Sequence, residues 1–221
     1  MVGSVTTRLL DGVPAASVDG AVELLGAEAA VELEAGHAYF RHSFETAVVH
    51  VVEGGFVVVR ATIPGGSRSV ITCDAGPGKL LLPPRPEESV CALEQATLTA
   101  ISDQALGRLL SVPPVARRVL EQLVSTLAEK QEALANFALT SHVERVRRKL
   151  VQLARSYGHV GRDGIRIEFP IRHALLAEMI GSSRETVTRA LHELEQEGFL
   201  VRRGSVYRLL VEPDAVFEPS G

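Results

Sequence analysis

The run Gly181-Ser182-Ser183-Arg184-Glu185-Thr186-Val187-Thr188-Arg189 lies where two segments of helical periodicity meet, about Arg172–Ile180 and Ser183–Glu197. Only Gly181 and Ser182 separate them. Two helices joined by so tight a turn make a helix-turn-helix, with Gly181 free to take a positive φ and Ala177 small enough for close packing. Ser182 or Ser183 can cap the second helix, and Ser182 has Glu185 three residues on, the spacing of a capping box. Val187, Ala190, Leu191 and Leu194 fall at i, i+3, i+4 and i+7, a single apolar face. Arg184, Glu185, Thr188 and Arg189 fall on the other side. Guanidinium forks match the O6 and N7 of guanine, and a carboxylate accepts from the amino group of cytosine, so the front of this helix carries groups that read base edges. Taken alone, the same pattern describes a solvated face of mixed charge; the flanking sequence decides between the two.

Downstream, Gly198 ends the helix, and Leu200–Arg202 and Val206–Leu210 flank Arg203-Gly204-Ser205 as a hairpin. The unit therefore reads as a winged helix, in which Arg202, Arg203 and Arg208 reach phosphates and position the protein without reading sequence. Upstream, a strand is expected at Ile165–Phe169, a linker at Gly158–Gly164, and an amphipathic helix at Ser141–Tyr157 with Val143, Val146, Leu150, Leu153 and Ala154 on one face. A longer helix begins at Pro113-Pro114, where proline wastes no amide proton, and runs to about Leu139. Along it Ala116, Leu120, Leu123, Leu127, Lys130, Leu134 and Phe137 alternate spacings of four and three, a heptad seam. Such a stripe pairs with its copy in a second subunit or packs on the rest of the chain. Lys130 interrupts it, and can set register, meet an effector or extend its amine to water.

Ahead of Pro113, from Val31 to about Ile101, the sequence changes character. Short runs rich in β-branched residues, Ala47–Val52, Phe56–Ile63, Ser69–Thr72, Ser89–Glu94 and Ala96–Ile101, are punctuated by Gly54-Gly55, Pro64-Gly65-Gly66, Gly76-Pro77-Gly78 and Pro83-Pro84-Arg85-Pro86. This spacing predicts a small antiparallel roll or barrel, preceded by a short helix within the Ala- and Glu-rich Val18–Leu33. The chain divides into 1–111, a roll; 112–140, a dimerisation helix and hinge; and 141–221, a winged helix. The fold class is α+β.

The chain of 221 residues is 46% hydrophobic and 23% charged, ordinary for a folded protein. Its net charge of −4 suits a DNA binder only once it is divided along the sequence. Residues 141–211 hold 13 Lys plus Arg against 8 Asp plus Glu, and the remainder holds 10 against 19. Phosphate binding by one half asks for such segregation. Met1 to Leu10 has no basic stretch leading into an apolar core, and no run reaches the ~18–20 apolar residues of a membrane span, so a cytoplasmic protein without a membrane partner is expected. Cys73 and Cys91 alone cannot build a disulfide scaffold or a thiolate metal site. With them, His37, His42 and His50 offer ligand atoms for haem or a redox metal at no diagnostic spacing, and no metal site is expected. The sequence also lacks a Gly-rich nucleotide loop after a strand, a His-Glu metal pair at i and i+4 and a plausible Ser-His-Asp set, so an enzyme is not expected.

The quoted run, with Ile171 to Ile180 before it and Leu191 to Leu200 after it, resembles the DNA-binding motif of the Crp/Fnr family, whose recognition helix carries Ser-Arg-Glu-Thr-Val-x-Arg. The resemblance implies that Arg184, Glu185 and Arg189 contact bases in a TGTGA-like half-site, and that Ser183 and Thr186 contact phosphate. His173, which stands where the family's prototype has a phosphate-binding arginine, is expected at phosphate with them. It further implies a cyclic-nucleotide-binding-like antiparallel β-roll, a long dimerisation helix with Leu120, Leu123, Leu127, Leu134 and Phe137 at the subunit interface, and a homodimer on double-stranded DNA that works with RNA polymerase. Nucleotide-binding members carry a Gly-Glu pair that holds the ribose and an Arg-Ser or Arg-Thr pair that holds the cyclic phosphate. Here the corresponding stretch, Gly76 to Ser89, places Glu88 where the arginine should be and Pro83 and Pro84 where amide donors are wanted. Cyclic AMP is therefore not the expected ligand, and Lys79, Arg85, Ser89 and Lys130 remain as candidates for an unidentified effector. A non-enzymatic small-molecule or redox sensor or scaffold, its winged helix contacting protein, is the competing function.

Overall fold

The computed structural model describes residues 8–11, 13–26, 28–45, 47–62, 69–204 and 206–217. They fall into two compact units, Met1–Ala128 and Glu129–Gly221.

The first unit contains α1 (Ala15–Gly26), β1 (Ala30–Leu33), β2 (Ala38–Tyr39), β3 (Val49–Gly54), β4 (Val57–Thr62), β5 (Ser69–Ala75), β6 (Leu80–Leu81), β7 (Glu88–Ala92), β8 (Ala96–Ile101), α2 (Asp103–Leu110) and most of α3 (Pro113–Phe137). The strands make two antiparallel sheets, ordered β1-β8-β3-β6 and β2-β7-β4-β5. One core joins residues of both sheets and includes Leu33, Phe44, Val52, Val57, Val90 and Leu98. A second core joins Val49, Val51 and Ile101 of the first sheet to Ala21, Ala105, Leu109, Val115 and Val119 on the helices. Strand β3 serves both cores, which is why Val49-His50-Val51-Val52 is buried without alternation.

The short helix expected within Val18–Leu33 is α1, and Ala30–Leu33, beside the expected start of the β-rich region at Val31, is a strand paired with Ala96–Thr99 of β8. Val31-Glu32-Leu33 satisfies helical and extended periods equally, and the free edge of β8 takes it. One expectation is corrected. The linker expected at Gly158–Gly164 is largely β9 (Gly158–Gly161), paired with β10 (Gly164–Ile167). Strands β2 and β6, two residues each, and α2 carried no distinct signal. The turn expected at Pro64-Gly65-Gly66 lies outside the described residues.

Helix α3 presents two stripes. Val115 and Val119 are buried against the roll. Leu120, Leu123 and Leu127, which belong to the heptad seam, are 59%, 41% and 58% exposed, so the seam does not pack on the roll. Val124, which the heptad count passed over, is exposed beside them.

The second unit continues with α4 (His142–Tyr157), β9, β10, α5 (His173–Ile180), α6 (Arg184–Gln196), β11 (Leu200–Arg203), β12 (Val206–Leu209) and α7 (Asp214–Phe217). Its sheet runs β11-β12-β10-β9. Gly164 holds φ at +110°, and a Cβ there would lie 2.1 Å from the Leu209 carbonyl oxygen, so only glycine admits the close approach of β12. Fully buried Val146, Leu150, Leu153, Leu176, Val187, Leu191 and Leu194 lie on α4, α5 and α6. At roughly 1.5–3 kcal/mol for each large side chain withdrawn from water, this packing fixes the rotation of α6 about its axis and hence which residues face outward.

Candidate nucleic-acid interface

Helix α5 ends at Gly181, which adopts φ 62° and ψ 43°, the left-handed cap. The Gly181 and Ser182 amides both donate to the Ala177 carbonyl. A Cβ at Gly181 would lie 2.6 Å from Cε1 of Phe137, so that ring, expected only at a subunit interface, also closes over the turn. Of the two candidate caps for α6, Ser183 is the one used: its Oγ accepts from the Thr186 amide at 3.2 Å and lies 3.0 Å from Thr186 Oγ1. Ser182 Oγ instead sits 3.2 Å from His142 Nδ1.

With Val187, Ala190, Leu191 and Leu194 buried, Arg184, Glu185, Thr188 and Arg189 emerge exposed along the first turns of α6. The pKa of Glu185 is held below the usual carboxylate range by its own backbone amide, by the Ser183 hydroxyl and by the charges of Arg184 and Arg189. It is therefore an ionised acceptor between two guanidinium donors. That combination can discriminate cytosine from guanine on adjoining positions.

The residues expected at phosphates divide into two groups. Ser183 and Arg203 are exposed, and Thr186 is half-buried at the front of the helix. Arg208 pairs with Asp163 at 3.2 Å and is 42% exposed. Arg202 is held inside the unit: Nε and Nη2 donate to Glu195 Oε1 and Oε2 at 2.8 and 2.7 Å, and Nη1 lies 2.8 Å from His173 Nε2. The opposite ring nitrogen of His173 lies 2.8 Å from Thr188 Oγ1, which donates to the Arg184 carbonyl at 2.9 Å. Burial, followed by the charges of Arg202 and Arg184, pushes the His173 pKa down. Hydrogen bonding to Glu195 pushes that of Arg202 up.

Glu195 was not foreseen at this site, and Thr188, expected on the outward face of the helix, was not foreseen as the partner of His173. The only trace in the sequence is the seven-residue separation of Glu195 and Arg202 across the turn at Gly198. Arg145 was also passed over. It donates to the Leu139 and Phe137 carbonyls at 2.7 and 3.2 Å, satisfying the C-terminal end of α3. Arg147 lies 4.6 Å from the Phe199 ring centroid and bonds Glu197 and Glu144.

In the roll, Glu88 is 7% exposed and accepts from the Arg85 side chain at 2.8 Å, the Arg85 amide at 3.1 Å and Thr72 Oγ1 at 3.2 Å. Burial opposes its charge, but these bonds and the Arg85 charge outweigh it and hold its pKa below the usual range. Ser89 is half-buried, its Oγ 3.8 Å from Cys91 Sγ, and Lys79 is half-buried beyond the Gly78 turn. Lys130 is exposed on α3. Among the described residues no three His, Cys, Asp or Glu side chains are grouped to hold a metal, and no helix is long and apolar enough to cross a membrane.

Residues 144–214 match the family model of the Crp-like helix-turn-helix domain. The chain is 31% identical over 163 residues to the cyclic AMP receptor protein of Thermus thermophilus, covering 71% of each. It is 24% identical over 181 residues to the CRP-like cAMP-activated global transcriptional regulator of Mycobacterium tuberculosis, covering 79% of this chain and 80% of that one. A cyclic nucleotide-binding domain containing protein from Listeria monocytogenes shares the fold with a TM-score of 0.73 at 18% identity, over 87% of this chain and 97% of the other. With a DNA-binding helix-turn-helix carried behind a cyclic-nucleotide-binding-like roll, the chain belongs to the Crp/Fnr family of transcription regulators.

Proposed function

We propose that this regulator binds a pseudo-palindromic, TGTGA-like site as a homodimer in the cytoplasm, with Arg184, Glu185 and Arg189 at base edges and Ser183, Thr186, Arg203 and Arg208 at phosphates. The observation that carries this reading is the outward face of α6, where an ionised carboxylate stands between two exposed arginines above a fully buried stripe. The exposed seam of Leu120, Leu123, Leu127 and Leu134 supports pairing of two copies through α3, with Phe137 at its end. Pairing would set the two α6 helices about one helical turn apart on DNA. RNA polymerase is the partner through which the bound dimer acts.

Cyclic AMP does not gate this activity. The residues present do not fit it, because the position that should offer a guanidinium to the cyclic phosphate holds the buried Glu88 carboxylate, already matched to Arg85. An anionic ligand there would meet a like charge, with Arg85 already engaged by Glu88. Lys79, Arg85, Ser89 and Lys130 remain the candidates for a different effector.

The test is a binding titration on a duplex selected from a randomised pool. Arg184→Ala or Glu185→Ala should cost about 1–3 kcal/mol on that duplex and relax the choice of base, while Arg203→Ala should weaken selected and random duplexes alike. Equal losses on both duplexes for Arg184→Ala would remove the base-reading assignment. Failure to select any duplex would favour the protein-binding scaffold.

A further inference from the structure

We infer that His173 is a positioning residue for DNA recognition: a neutral imidazole protonated on Nδ1 joins the wing arginine Arg202 to Thr188 and so holds the wing and the base-reading helix as one unit. This rests on the assignment of α6 as the reading helix. It differs from the family expectation for this position, a cation on phosphate.

The direction of each hydrogen bond follows from the donor inventory. A guanidinium only donates, so His173 Nε2, 2.8 Å from Arg202 Nη1, must accept. The proton of a neutral ring is then on Nδ1, and it points at Thr188 Oγ1 2.8 Å away. Thr188 passes its own proton to the Arg184 carbonyl at 2.9 Å. Arg202 is anchored at its other end by both oxygens of Glu195, and the Tyr207 hydroxyl also bonds it. The chain of contacts thus runs from α6 through β11 to the start of α5 and back to the first turn of α6, with each donor meeting an acceptor.

A second proton on His173 breaks this arrangement. Nε2 would become a donor aimed at a guanidinium, and the ring would carry a like charge beside it. The charged or titratable groups that face the ring or its partner are Arg202 from β11, Arg184 and Glu195 from α6 and Tyr207 from β12, with Arg172 preceding it in the chain. Burial and the two arginines already favour the neutral ring.

The positioning role and a phosphate-contact role predict opposite responses to acid. A histidine that held phosphate would bind DNA more tightly when charged, whereas this one holds the wing only when neutral. The experiment follows fluorescence anisotropy of a duplex selected by the wild-type protein, at constant salt, from about pH 8 to about pH 5.5, with His173→Gln as the comparison. Gln is neutral throughout and offers both an acceptor and a donor. Wild-type affinity should fall about threefold or more on acidification relative to the Gln variant. Identical profiles, or a wild type that tightens relative to Gln, would overturn the inference.

Imidazole ¹⁵N shifts of His173 decide the matter without DNA. A ring protonated on Nδ1 and titrating below the ordinary histidine range is expected, and the Nε2–H tautomer would rule the relay out. If no duplex can be selected, the reading of α6 fails, while the nitrogen shifts still confirm or exclude the relay.

Discussion

Glu53 and His50 stand three residues apart on β3, buried and carrying atoms without hydrogen-bond partners among the described residues. Burial raises the Glu53 pKa to about 7, against a lowering by its bond from Thr99, and lowers that of His50 to about 4. The fold therefore prefers both groups neutral. For Glu53, whose pKa is higher folded than unfolded, stability is lost as pH rises from its ordinary 4.5 through about 7. For His50, whose pKa is lower folded, stability is lost as pH falls from 6.5 through about 4. Glu53→Gln keeps the acceptor for Thr99 and removes the charge, so it should raise the thermal midpoint at about pH 8 and leave it nearly unchanged near pH 4.5. A gain of equal size at both pH values would show that the carboxylate is not paying a burial cost. Gly181 calls for a different test. Its left-handed conformation costs a non-glycine residue about 1–2 kcal/mol, and the Phe137 ring leaves no room for a methyl group. Gly181→Ala should thus lower the urea midpoint by at least that backbone cost, and an unchanged midpoint would mean that the turn is not held as described.

At the scale of the element, α3 is the clearest case of a surface with unmet demand. Leu120, Val124, Leu127 and Leu134 are 59%, 66%, 58% and 71% exposed on one helix. Leu127→Glu should convert the proposed dimer to a monomer by sedimentation, whereas Ser125→Glu, off the seam, should leave that dimer intact. If both variants sediment as the wild type does, α3 is not the interface. Elements were legible where one period dominated the sequence. The stripe Val187, Ala190, Leu191, Leu194 is helical under any register, and the residues opposite it could be assigned before any coordinates. The start of the roll, expected at Val31 and found at Ala30, was marked less sharply, because Ala30-Val31-Glu32-Leu33 fits a helix or a strand and its pairing with β8 decides. Strand β9 escaped notice because His159 and Val160 sit between glycines, exposed, and are ordered by pairing with β10. The same limit applied to the site. Arg184, Glu185 and Arg189 share one helix and could be grouped by spacing, but the links from His173 to Thr188 and from Glu195 to Arg202 depend on which side chains meet between adjoining elements, which spacing along one element does not give.

For the whole molecule, the charge is divided so that residues 141–211 carry an excess of five cations while the rest of the chain carries the acid. Not all of that excess is available to a phosphate. Arg202 is matched by Glu195 and Arg147 by Glu144 and Glu197, so the formal count overstates the cations that can displace counterions. Arg203, exposed on the wing, is a better candidate. The dependence of affinity on salt separates the two classes, since each phosphate neutralised contributes about 0.9 to the slope of log K against log salt concentration. Arg203→Ala should reduce the slope of a dimer by about 2, one contact in each subunit. Arg202→Ala should weaken binding while leaving the slope nearly unchanged, because the arginine it removes is already neutralised by Glu195 and acts through the position of the wing. Slopes that fell equally for both variants would place Arg202 on the DNA backbone after all, and would return its partner His173 to the phosphate as well.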